Sequence, residues 1–246
     1  LSLGINLEFN CRNIPQPYSY IFTEKPYTGN FPKKTKRPQA DLFVDLEKAM
    51  SLDLRLQRYR YREKIWLEAK AFLGSTRTNA AQAGTHHSGK IFRDLLRLCL
   101  FPSERKGAIS ENHRYFLLIT SNEPSRSLAL KRGKVERAWL TGLLQPGDSI
   151  VTVDLSEETK SFVKAVGKGF KLNPQLFAEF TLRTHVFKPE RKLPNPVFWG
   201  YLVEISSFTI SNGKISTSYD IASEAKWTVE NAENYKMLSK QVNDRM

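Results

Sequence analysis

The order of patterned segments in this chain predicts an α/β fold, a mixed central β-sheet flanked by helices with a β-rich elaboration toward the C-terminus. Two observations lead there. Strand-like and helix-like segments interleave up to about residue 155, after which period-two alternation dominates. The 246 residues are 40% apolar and 11% aromatic, enough to fill one large core or two that pack closely. The division predicted is 1–155, a core carrying a basic N-terminal arm, and 156–246, a β-rich part that is either a recognition domain or an extension of the same one.

Residues 41–46 place Leu42, Val44 and Leu46 on one face and Asp41, Phe43 and Asp45 on the other, which is strand patterning. Residues 64–70 do the same, with Ile65, Leu67 and Ala69 opposed to Glu68 and Lys70. Phe92, Leu95, Leu96 and Cys99 recur at helical spacing, so a helix is expected from near Gly89 until Pro102 stops it. The apolar run 113–121 reads as a central strand. A helix over 133–144, closed by Gln-Pro-Gly-Asp, precedes a strand at 149–155; Ser156, followed by Glu157 and Glu158, is the expected N-cap of a helix over 157–166. Three strand-like stretches then lead through Leu176, Val197 and Lys214, the last two joined by the hairpin signal Asn212-Gly213, and a polar helix is expected from about 222 to 242.

Thirty-eight Lys and Arg against twenty-five Asp and Glu leave a net charge of +13 and a pI near 9.7. This balance favours a polyanionic partner, nucleic acid first. No apolar run approaches the ~18 residues of a membrane span, and the first residues lack a signal-peptide layout, so a cytoplasmic protein without a membrane partner is expected. Cys11 and Cys99 form neither a disulfide framework nor a zinc motif. The Gly-x-Ser-x-Gly elbow of many serine hydrolases is missing from the sequence.

If the first two strands pair, their shared parity brings Asp41, Glu68 and Lys70 together. Neighbouring carboxylates repel and raise one another's pKa unless a cation intervenes. A divalent metal removes that conflict, and a shell of carboxylate, carbonyl and water oxygens suits Mg²⁺. Lys70 beside it could hold the attacking water and stabilise developing charge. The bland alternative is a solvated strand face whose ion pair contributes ~0–1 kcal/mol.

Ala-Asp-Leu-Phe-Val-Asp-Leu followed by Ile-Trp-Leu-Glu-Ala-Lys resembles the signature of the PD-(D/E)xK nuclease superfamily, with Ala40 in place of the usual Pro. The resemblance spans residues 41–71 and extends loosely to about 121, since the family follows its E-x-K strand with a helix and another core strand. It implies Asp41, Glu68 and Lys70 as catalytic residues, with Asp41, Glu68 and the Ala69 carbonyl on Mg²⁺, for which Mn²⁺ could substitute. It further implies a metal-dependent endonuclease acting on double-stranded DNA, of restriction or phage-defence type, leaving a 5′-phosphate and a 3′-hydroxyl. Cleaving both strands would call for a homodimer, a partner subunit or successive nicks. The rival from another class is a catalytically inactive nucleic-acid-binding subunit of a larger complex.

Around this core, Lys33, Lys34, Lys36 and Arg37 precede Asp41, and Arg58, Arg60 and Arg62 alternate with Tyr59 and Tyr61, a pattern suited to phosphates or to a solvated hairpin. His86, His87, Ser88 and Lys90 lead into the helix expected near Gly89, whose free N–H groups would suit a DNA phosphate. Ser125, Arg126, Lys131, Arg132 and Lys134 form a further basic cluster. Glu8, Glu24 and Asp45 are candidates for an additional acidic group.

Overall fold

The computed structural model describes residues 21–27, 39–45, 64–72, 80–101, 112–121, 128, 131–132, 135–167, 173–188, 198–220 and 229–243. The basic stretches 33–37 and 58–62, with Glu8, lie outside the described residues. Ten strands and four helices occur among those described. The strands are β1 (Ile21–Pro26), β2 (Gln39–Asp45), β3 (Lys64–Phe72), β4 (Asn112–Thr120), β5 (Lys131–Arg132), β6 (Val135–Glu136), β7 (Gly147–Asp154), β8 (Leu176–Phe187), β9 (Trp199–Asn212) and β10 (Ile215–Asp220). The helices are α1 (Ala80–Leu100), α2 (Ala138–Leu144), α3 (Lys160–Val166) and α4 (Val229–Asn243).

Eight strands form one mixed sheet in the order β1-β2-β3-β4-β9-β8-β7, with β10 alongside β9; β5 and β6 make a separate two-stranded ribbon. β2 runs antiparallel to β3, and α1 then carries the chain across so that β4 lies parallel to β3. β9 is the spine of the sheet: residues 199–204 pair with β4 and residues 207–212 pair with β10. Strands from either side of residue 155 therefore share one sheet.

Period-two alternation sorts this sheet into two unlike faces. Trp66, Phe116, Phe180 and Val203 face a core shared with Leu95 of α1, Leu140 of α2, Phe162 of α3 and Tyr235 of α4. The other face holds a smaller cluster of strand residues only, built on Leu42, Val44 and Leu67. Among the described residues the helices thus cover one face. On the opposite face at the β7–β8 end, Ile150 is 69% and Phe187 58% exposed.

Several boundaries differ from the sequence expectation for local reasons. α1 begins at Ala80, about nine residues before Gly89, because a run rich in alanine favours helix. Gly89 sits inside it where α1 meets α3; a Cβ there would lie 2.7 Å from the Ala165 Cβ. α3 is capped by Thr159, whose Oγ1 accepts from the Phe162 amide at 3.3 Å. Ser156 cannot play that part, since its amide and hydroxyl both bind Asp154 Oδ1 in a turn closing β7. α2 starts only at Ala138, the preceding residues being drawn into the β5–β6 ribbon. The hairpin expected at Asn212-Gly213 forms with Gly213 and Lys214 as its loop, and Gly213 has the positive φ of 71° that this turn demands.

Candidate functional site

The β2–β3 ladder runs from Asp45–Lys64 to Leu42–Leu67 and stops there. One step further, where Asp41 and Glu68 would face each other, backbone pairing gives way to a side-chain contact: the Ala69 amide donates to Asp41 Oδ2 at 2.6 Å. Asp41 itself is exposed. Glu68 points into the helix-covered face beside Trp66 and is only 1% exposed. The shared parity expected of Asp41, Glu68 and Lys70 therefore holds, but their face is the main core face rather than an open one.

Burying a carboxylate demands partners, and Glu68 has two on one oxygen. Tyr27, just past β1, donates its hydroxyl to Oε1 at 2.6 Å, and Arg97 Nη2 lies 3.2 Å from the same atom. Burial, together with the charges of Asp94 and Asp41, pushes the Glu68 carboxyl up to about 8, against the lowering pull of Arg97 and the Tyr27 hydrogen bond. Burial, and then the charge of Glu68, raise the Tyr27 phenol well above its ordinary value, so it remains a donor.

Lys70 reaches across to α1. Its Nζ lies 2.8 Å from Asp94 Oδ2 on α1, and Asp94 is fully buried. Arg97, one turn along, approaches Asp94 Oδ1 at 3.4 Å and also donates through Nη2 to the Gln39 carbonyl of β2 at 2.7 Å. Arg93 Nε adds a longer contact of 3.7 Å to Asp94 Oδ1. Three carboxylates and three cations thus gather where β2, β3 and α1 meet. Tyr27, Asp94 and Arg97 were not anticipated from the sequence. The trace of Asp94 and Arg97 is that, with Arg93, they interrupt the otherwise apolar run 91–101, and Tyr27 leaves no such trace.

The remaining candidates scatter. Glu24 falls between the Thr23–Leu42 and Lys25–Ala40 pairs, level with Asp41, at a left-handed φ of 51°. Asp45 lies at the far end of β2, opposite Lys64. The expected phosphate site at a helix start near Gly89 is not formed, because His86, His87, Ser88 and Lys90 lie within α1. Ser88 is buried, its hydroxyl donating to the carbonyls of Gly84 and Leu128, and His87 stacks on Phe72 with centroids 4.1 Å apart. His86 is exposed and Lys90 half-buried. Lys131 and Arg132 form β5.

Among the described residues no group of three or more His, Cys, Asp and Glu is arranged to hold a metal ion, and no helix is long and apolar enough to cross a membrane. Comparison with protein-family models, with curated proteins and with solved structures gives no match to this chain.

Proposed function

We propose that this chain is a Mg²⁺-dependent deoxyribonuclease of the PD-(D/E)xK type, hydrolysing phosphodiester bonds in double-stranded DNA as a restriction or phage-defence endonuclease. The observation that carries the reading is the junction of Asp41 with the Glu68–Lys70 segment, where the ladder ends and the Asp41 carboxylate binds the Ala69 amide. The succession of antiparallel β2 and β3, crossover helix and parallel β4 is in keeping with the helix and core strand that the resemblance implies after the E-x-K strand.

Two carboxylates and a backbone carbonyl are hard oxygen donors of the kind a divalent ion takes. Among the described residues the Tyr27 hydroxyl and the nearest approach of Arg97 both fall on Glu68 Oε1. Its charge is made costly by burial and by two neighbouring carboxylates, a cost that a divalent cation would offset. Asp41 and Glu68 would hold the ion with the Ala69 carbonyl, which lies on the same side of β3 as its amide. When bound, Mg²⁺ would supply Lewis-acid polarisation of the phosphate and a more acidic water. Lys70, anchored by Asp94, would orient that water and meet charge developing on the phosphate oxygens. The +13 charge supports a polyanionic substrate. Cutting both strands calls for two such sites, in a homodimer or with a partner subunit, or for successive nicks.

A second reading, a catalytically inactive nucleic-acid-binding subunit, draws on the internal neutralisation of the cluster, since Glu68 and Asp94 already face Arg97 and Lys70. Supercoiled plasmid incubated with wild type, Asp41→Ala or Lys70→Ala, with Mg²⁺ or EDTA, separates the two. The nuclease nicks or linearises only in Mg²⁺, and both variants lose cleavage while retaining DNA affinity in a gel shift. Intact plasmid in every lane beside salt-sensitive DNA binding would establish the inactive subunit instead.

A further inference from the structure

Resting on the metal-site reading above, we infer that Arg97 is the positioning residue that sets the gap between Asp41 and Glu68. Past Leu42–Leu67 no ladder pair joins the two strands, yet this is where both carboxylates must be held at a fixed separation. Among the described residues two contacts bridge the opening. One is the Ala69 amide on Asp41, and the other is Arg97, whose Nη2 touches the Gln39 carbonyl of β2 at 2.7 Å and Glu68 Oε1 of β3 at 3.2 Å.

Arg97 is itself anchored. Its Nη1 is 3.4 Å from the fully buried Asp94 one turn back on α1, and its guanidinium carbon stands 5.8 Å from the centre of the Tyr27 ring. A planar guanidinium reaches a carbonyl and two carboxylates at once, which the single ammonium of a lysine cannot do. Arg97 thereby transfers the position of α1 to both strands of the opening. Groups that hold a metal ligand in this way typically change metal affinity by about 10–100-fold when removed.

Calorimetric titration of the metal-free protein with Mn²⁺, with thermal unfolding of each variant, tests this. Wild type should bind Mn²⁺, and Asp41→Ala and Glu68→Ala should abolish binding. Arg97→Gln should weaken binding by about 10–100-fold. Arg97→Lys, which keeps the charge but not the bridge, should weaken it by at least about threefold and decides the matter where Arg97→Gln does not fold. Wild-type affinity in folded Arg97→Gln or Arg97→Lys overturns the positioning role and leaves the metal site standing, as a purely structural residue would move the melting temperature alone. Absence of Mn²⁺ binding in wild type, or binding indifferent to Asp41 and Glu68, overturns the metal site and this inference together.

Discussion

Asp94 Oδ2 lies 2.8 Å from the Lys70 ammonium nitrogen, an ion pair tying the last charged residue of β3 to the helix that covers it. Asp94 is fully buried and is also approached by Arg93 and Arg97, so three cations share this carboxylate.

Asp94→Asn should therefore cost about 3–5 kcal/mol of unfolding free energy, because it leaves buried positive charge unanswered. Lys70→Ala should cost nearer ~1 kcal/mol, since its side chain is 24% exposed and water can take over part of its role. Urea unfolding of both variants checks the order, and an equal loss in the two would refute it.

Stability of the metal-free protein should fall as pH rises. Glu68 titrates at about 8 when folded, against an ordinary value of 4.5. Between those values the folded state holds a proton that the unfolded chain has released, so alkali favours unfolding. The contribution is full below about 4.5 and disappears as pH passes about 8. In EDTA the urea midpoint of wild type should decline across this window more steeply than that of Glu68→Gln; parallel slopes would dismiss Glu68 as the source.

Gly89→Ala should destabilise by about 1–3 kcal/mol through overpacking. The added methyl would sit 2.7 Å from the Ala165 Cβ and 3.0 Å from the Phe162 carbonyl oxygen, so α1 and α3 must separate. A thermal melt unchanged from wild type would show that the helices shift without cost.

Cys99 should resist alkylation in the folded protein. Its thiol is fully buried and pushed up to about 12 by desolvation. Peptide-resolved mass spectrometry after iodoacetamide at neutral pH should find Cys99 unmodified until urea is added; rapid labelling without denaturant would mean that α1 opens locally.

Much of the sheet is legible in the sequence because alternation is a local property. The run 41–46 shows the parity of β2, and Asn212-Gly213 marks the β9–β10 hairpin. Helix starts are less legible because capping is a competition among neighbours. Ser156 and Thr159 are both suitable caps, and the choice falls to Thr159 only because Asp154 already binds the Ser156 amide and hydroxyl. At the candidate site, Asp41, Glu68 and Lys70 can be found from parity and spacing. Asp94 and Arg97 cannot, since their role depends on how α1 is rotated over β2 and β3. Tyr27 is harder still, reaching Glu68 across forty-one residues of chain.

The pairing of β4 with β9 has a consequence during synthesis. β4 ends at Thr120 and its partner begins at Trp199, so one edge of β4 waits for about 80 further residues. At roughly 5–20 residues per second that is about 4–16 s of exposure on the ribosome. In that interval β1 to β4 and α1 can assemble around Glu68, but Phe116 and Leu118 sit on a strand with one edge unpaired, a template for wrong partners. Fragments ending before β9 should consequently aggregate even though they contain every residue of the charged cluster around Glu68.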